Sequence, residues 1–350
     1  MLKFKCMKVL FSTLLVSLVC CQVILAQPKA VKSKSFFAEE SMLSATLVSP
    51  MNKFLSNKST KGVENFPARF SIKFPEGEEV SEQILVELRG HNRRENCYFP
   101  PLKLIFKKKD SSKSVLSPLK SLKLVSGCRN NSVYSQYVLK EFIAYKIYNQ
   151  LTDKSFRVRL LDLNYVDTLN KKAFKNYAFL LEDVKEMAKR NDCRDWAEGR
   201  PNTEYTDRKQ MLLVAMFEYM IGNTDWSVPV RHNIRTIRLK NDSLASPFSV
   251  PYDFDYAGLV NTDYAIPDPM LNTETVLQRV YRGYPRTMDE LNEVIALFNS
   301  KKETIYALIN NFTLLEPRVK KEMIAFLEEF YETIQNPGEV KKVFIQGART

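Results

Sequence analysis

The sequence predicts an α+β, bilobal chain with a sheet-rich N-lobe and a mainly helical C-lobe. Three observations carry that expectation. Short runs rich in β-branched and aromatic residues recur between Ala68 and Val125, separated by Gly, Pro, Asn and Lys clusters. The period then changes: Val138, Leu139, Phe142, Ile143, Tyr145 and Ile147 recur three and four apart, as on a broad helical face. From Met288 onward the spacing is again mostly helical.

Taken from the start, residues 1–26 read as a signal peptide. Lys3, Lys5 and Lys8 precede an apolar stretch from Val9 to Leu25, which closes at Ala26 before Gln27-Pro28. Neither Cys20 nor Cys21 follows the small residue that a lipoprotein signal needs. No later run reaches the ~18 apolar residues that span a bilayer. The mature chain is therefore expected to be exported, periplasmic or extracellular, without a transmembrane span; a retained membrane anchor is the alternative. Removing the three signal lysines lowers the formal charge from +12 to +9. That balance suits an anionic partner such as a nucleotide, phosphorylated substrate, anionic lipid or polysaccharide. No nucleic-acid partner is expected.

Residues 27–60 are Ser- and Lys-rich and read as a leader, with one possible strand at Ser44 to Val48. In the N-lobe (61–182), strands are predicted at Ala68 to Phe74, Gln83 to Arg89, Leu102 to Phe106 and Ser121 to Val125. Lys107 to Lys113 reads as a solvated hairpin tip. The helix at Gln136 to Leu151 precedes strands at Arg157 to Val166 and Tyr177 to Glu182. The C-lobe (183–350) opens with a polar stretch at Asn191 to Thr206, then a helix from Asp207 to Ile221. Strands at Ile234 to Leu239 and Pro247 to Asp253 flank the turn Asn241-Asp242-Ser243. Leu291, Ile295 and Leu297 mark one later helix, and Met323, Phe326, Leu327 and Phe330 another, ending before Asn336-Pro337-Gly338.

Three of the six cysteines leave with the signal. In an oxidising compartment Cys97 and Cys128 are expected to pair, because each ends a short polar loop beside a strand. Cys193 is then free, although it is also available to replace either partner.

Exclusions narrow the chemistry. The chain has 10 glycines and no G-x-G-x-x-G, G-x-x-x-x-G-K-[ST] or G-x-S-x-G, which argues against a Rossmann site, a P-loop or a nucleophile elbow. Its two histidines, His91 and His232, rule out His-rich zinc sites. Acidic and amide residues suited to magnesium or manganese remain. Asp225 follows a helix end and the turn Ile221-Gly222-Asn223-Thr224, where a carboxylate is exposed on rigid flanks, as a general base requires. His232-Asn233 comes next, and Asn233 offers a neutral oxygen ligand. Asp253 and Asp255 are two apart in a run expected to be extended, so both are expected on one side. Their repulsion would be relieved by a cation.

Upstream, Lys123 alternates with Leu122 and Leu124 and should face away from them. Glu141 lies mid-helix. Arg89-Gly90-His91-Asn92-Arg93-Arg94 is expected to be a turn joining two strands, with Gly90 amides and the Arg89 and Arg93 guanidinium groups able to cover phosphates. Each of these also reads as an ordinary surface charge.

With those segments in place, the chain resembles the spore-coat CotH family of secreted kinases, members of an atypical protein-kinase-like fold. The resemblance spans roughly Arg89 to Gly258 and rests above all on Tyr252-Asp253-Phe254-Asp255, then on Leu88-Arg89-Gly90 and Ser121-Leu122-Lys123-Leu124. It implies that Lys123 binds phosphates and pairs with Glu141, as in the kinase template. It makes Phe179 to Asp183, with Glu182, the hinge holding adenine. Asp225 becomes the catalytic-loop aspartate, Asn233 a metal ligand, and Asp253, or Asp255, the metal-binding aspartate. Asn233 lies eight residues after Asp225, a longer spacing than the protein-kinase pattern, and there is no H-R-D.

The implied function is ATP-dependent phosphoryl transfer with magnesium or manganese, onto a protein, a glycan or another hydroxyl-bearing substrate. The alternatives are an inactive kinase-like module that binds an anionic envelope component, and AMP transfer by the same residues.

Overall fold

Alternation of buried and outward side chains runs the length of the early strands. β1 (Leu43–Ser49), β2 (Asn65–Lys73), β3 (Glu79–Leu88) and β4 (Leu102–Phe106) all show it. The computed structural model of the chain describes residues 36–56, 64–90, 92–106, 115–116, 119–199 and 201–349. The expected signal peptide, the Lys107 to Lys113 run and His91 lie outside those residues. Antiparallel pairing carries the sheet from β1 through β4 to β5 (Ser121–Ser126). Two short helices, α1 (Met51–Ser56) and α2 (Asn92–Asn96), interrupt the run.

After β5 the chain leaves as α3 (Ser132–Leu151) and returns as β6 (Val158–Asp167) and β7 (Ala173–Leu181). β5 pairs with β7 and β7 with β6. β6 lies parallel to β1, with Leu43 opposite Leu161, and the sheet closes on itself. The expected bilobal, protein-kinase-like arrangement is therefore corrected. The architecture is a closed seven-stranded mixed barrel with helices packed on it, and residues 35–350 form one unit.

The reason lies in β1. It lies in a stretch that reads as a leader, yet Leu43, Ala45 and Leu47 point inward and its backbone covers both remaining sheet edges. Closure leaves no edge strand exposed. Phe66, Phe70, Val86, Leu104, Leu124, Leu161 and Tyr165 belong to the apolar core of the barrel, which is packed side chain and not a ligand cavity. β6 and β7 are buried on both faces: Leu161 and Leu180 join that core, whereas Leu160 and Phe179 join the core shared with the helices.

α3 is buried on nearly every side, which explains why its apolar pattern reads as an unusually broad face. Asn131 caps it by accepting a hydrogen bond from Tyr134 N at 3.1 Å, so the helix begins at Ser132 and not at the expected Gln136. A short helix, α4 (Val184–Arg190), comes next, and the expected polar stretch Asn191 to Thr206 contains the strand β8 (Cys193–Asp195). Beyond α5 (Arg208–Met220) come β9 (Ile234–Leu239) and β10 (Phe248–Pro251), which form a second sheet in the order β10-β9-β8. Two long helices, α6 (Met288–Asn310) and α7 (Pro317–Gln335), complete the helical layer.

Cys97 and Cys128 are bridged and Cys193 is buried and free, as expected. The bridge ties the end of α2 to the turn after β5, across a sequence separation of 31. Closing a loop of that length removes unfolded-chain entropy worth about 3–4 kcal/mol. Urea unfolding with and without reductant should differ by about that amount. Equal midpoints would show that the bridge adds nothing.

Candidate functional site

Two loops are stitched together at the centre of the molecule. Gly258 N donates to Gly222 O at 3.1 Å, and Leu259 N to Ile221 O at 2.9 Å. Neither glycine is replaceable without movement. Gly222 has φ +67°, and a Cβ on Gly258 would lie 2.5 Å from Val276 O. This contact brings the segment after α5 against the segment after β10. The β9–β10 register, with Ile234 opposite Pro251, then sets Asn233 beside Asp253, and Tyr252 N donates to Asn233 O at 3.0 Å.

Asp225 is held from behind. Its N–H donates to Asn223 Oδ1 at 3.0 Å, and Asn223 Nδ2 donates to the buried Glu218 of α5 at 2.9 Å. In front, Asn233 Nδ2 donates to Asp225 O at 2.8 Å and to its Oδ2 at 2.9 Å, and Asn233 Oδ1 has no donor among the described residues. His232 Nε2 stands 2.7 Å from Asp225 Oδ1. Sequence reasoning passed over His232 as a partner of Asp225. The available signal was the intervening Val228-Pro229, a turn former; Ser227 and His232 indeed pair across it at 2.9 Å.

The two aspartates after β10 differ from the expected extended pair. The strand ends at Pro251, and Asp253 has φ +70°, a left-handed conformation that is uncommon for a non-glycine residue. Its N–H donates to the Tyr145 hydroxyl of α3 at 2.8 Å. Its carboxylate forms no hydrogen bond or ion pair with a described residue. Asp255 is instead buried, 3.5 Å from Arg93 Nη1, and accepts from the Tyr264 hydroxyl at 3.1 Å. Burial first, then the nearby Asp253, pushes the Asp255 carboxyl up to about 7, against the pull of Arg93.

Arg93 is inward because Arg89-Gly90 leads into α2 and not into a simple strand-joining turn. Its second Nη donates to Ser126 O. Burial opposes its charge, but Tyr264, Asp255, Glu141 and Asp253 together outweigh burial and hold it protonated. Glu141 of α3 is driven well above the usual carboxylate range by burial, Asp255 and Asp253, with Arg93 pulling the other way. The expected Lys123–Glu141 pair is absent, and the cation facing Glu141 is Arg93. The barrel wall and α3 reach the site through different residues than the kinase template supposes.

Lys123 does face away from Leu122 and Leu124, which line the barrel core. Its Nζ lies 4.2 Å from the centre of the Tyr252 ring. Burial, then Arg89 and Arg235, pushes it down to about 7, while Asp253 and Asp183 favour its charge. Arg235, on β9 and 5.6 Å from the same ring, escaped sequence reasoning. Its place in Ile234-Arg235-Thr236-Ile237, alternating with apolar residues, was the signal.

A cavity of about 180 Å³ gathers Arg89, Gly90, Arg93, Asp225, His232, Asn233, Asp253 and Asp255, with Pro101, Val125 and Tyr256. Lys123 and Glu141 stand behind its wall, coupled to it through Asp253. Glu182 is elsewhere in function: it is buried, accepts from Arg157 N at 3.0 Å and is paired with Arg190 at 2.8 Å. None of Phe179 to Asp183 lines the cavity. A larger pocket of about 480 Å³ adjoins it and shares Asp225, His232 and Tyr256.

Among the described residues, no group of three or more His, Cys, Asp and Glu side chains is placed to hold a metal alone. A divalent cation here would draw on the Asp253 carboxylate, Asn233 Oδ1 and the oxygens of a bound phosphate, a set that suits magnesium or manganese. Asp255 is committed to Arg93 and Tyr264. The smaller cavity falls below the ~300 Å³ typical of a whole ligand site. No protein-family model matches the chain, and a search of curated proteins finds no match.

Proposed function

We propose that the protein is an exported, ATP-dependent phosphotransferase that uses a divalent metal, an activity like that of the CotH family. The observation that carries this reading is one cavity where unpartnered metal-type oxygens, Asp253 and Asn233 Oδ1, meet the Asp225–His232 pair. Arg89, Lys123 and Arg235 supply the positive charge beside it. In the reaction, the substrate hydroxyl oxygen bonds to the γ-phosphorus as the β,γ-bridging P–O bond breaks. ADP keeps that electron pair, and the hydroxyl proton passes to the Asp225 carboxylate. The bound metal supplies charge neutralisation between the phosphates. Asp253 would hold it, with Asn233 kept in place by Asp225.

Calorimetry of the purified mature protein with ATP, with and without Mn²⁺, tests this reading. Metal and nucleotide should bind cooperatively, and Asp253→Ala should abolish metal-dependent binding. Label from γ-labelled ATP should appear on the product; label only from the α position would turn the assignment to AMP transfer. If the wild type binds no nucleotide with any metal, the cavity serves binding of another anion.

A further inference from the structure

Resting on that reading, we infer that the larger pocket beside Asp225 takes the phosphoryl acceptor, and that this acceptor is a polypeptide hydroxyl flanked by apolar residues. The pocket, about 480 Å³, has the size of an ordinary ligand site and opens onto the same Asp225 and His232 as the phosphate cavity. A hydroxyl lodged in it reaches the carboxylate that must take its proton. Water or a small alcohol would need no chamber of this volume.

The walls decide the chemistry. Val230 and Ile266 are 74% and 75% exposed, on different segments, and Pro267 and Pro269 extend the same apolar surface. Met270, beside Pro269, is 87% exposed. Large apolar side chains gathered at one pocket mouth are the usual sign of a recognition surface. Trp226 is only 2% exposed, so no open indole face is offered for stacking on a sugar ring. Charge argues in the same direction. Arg282 donates to Thr224 O, and the charges of Arg349, Asp268 and Asp225 all act on it. Two guanidinium groups set against two carboxylates leave no surplus for an acidic acceptor. An uncharged, apolar flank fits what remains.

The test is a titration of serine-centred octapeptides flanked by Leu, by Asp or by Lys, followed by Trp226 fluorescence in a Trp196→Phe background. The chain has two tryptophans, so that background reports on the pocket alone. Leu-flanked peptides should bind at least ~10-fold more tightly than Asp-flanked ones, the effect of burying about two methylene groups. Val230→Asp with Ile266→Asp should erase the preference. Both side chains are largely exposed, and circular dichroism together with Ile266→Asp alone guards against a folding defect. Equal affinities for all flanks, a preference that survives in the double variant, or quenching by an oligosaccharide in place of peptide would each overturn the inference. No nucleotide is present in this titration. Its outcome is therefore separate from whether the protein binds ATP.

Discussion

Arg93→Met should destabilise the protein by about 3–5 kcal/mol at pH 8, the range for removing one partner of a buried charge cluster. Arg93 is the cation that faces both Asp255 and Glu141, and it also satisfies Ser126 O. Without it, Asp255, ionised above its folded pKa, would face Glu141 and Asp253 with no cation beside it. The defect should depend on pH in a definite direction. Asp255 has a folded pKa raised to about 7 from its ordinary 3.8, so the folded state holds the extra proton between those values. Stability linked to it is fully present below about pH 4 and is lost as pH rises through about 7. Glu141 acts in the same sense. At pH 5 both should be largely protonated in the folded variant, and the deficit should shrink to about 1–3 kcal/mol, chiefly the unsatisfied Ser126 carbonyl. Urea unfolding of both proteins at pH 5 and pH 8 measures this. An equal deficit at the two pH values would show that Arg93 acts by packing and not by charge.

The elements of this fold were largely legible in the sequence; their closure was not. β4, β5, β9 and the helices at α3 and α5 announce themselves because period and flanking turn residues agree. β1 passes it only in part: Ser44 to Val48 reads as a possible strand, but nothing in that run announces its parallel pairing with β6, more than a hundred residues away. A contact at that distance leaves no local trace, and so a sheet that closes reads as one that stays open. The site divides in the same manner. Asp225, Asn233 and Asp253 are found by residue type and order alone. Arg235, His232 and the inward turn of Arg93 depend on register and on the fold of short loops. The Lys123–Glu141 pair came from a template. Here Lys123 and Glu141 each answer to other charges, Arg89 and Arg235 on one side, Arg93 and Asp255 on the other. Glu182 shows the converse: its type and position fit a ligand role, yet its carboxylate is spent on Arg190 and Arg157 N.

Asp225→Ala should lower turnover by ~10²-fold or more, the scale for losing a positioned base, while leaving metal-dependent ATP binding close to that of the wild type. The separation follows from how Asn233 is held. Its Nδ2 donates both to the Asp225 carboxylate and to the Asp225 backbone oxygen, at 2.9 Å and 2.8 Å. The second bond survives the substitution, so Asn233 Oδ1 stays directed toward the metal position and Asp253 is untouched. The loop itself also survives, since Asp225 N still reaches Asn223 Oδ1 and through it Glu218. His232 is a different matter. It stands 2.7 Å from the carboxylate that is removed, and any proton-handling role it has runs through that contact. Groups that act as a unit give non-additive losses. The double variant Asp225→Ala/His232→Ala should therefore be no slower than Asp225→Ala alone, whereas independent groups would multiply their losses. Single-turnover rates with saturating ATP and Mn²⁺ for Asp225→Ala, His232→Ala and the double variant, beside calorimetric affinities, resolve the two cases. A fall in ATP affinity as large as the fall in rate would move Asp225 from the proton-transfer role to the metal.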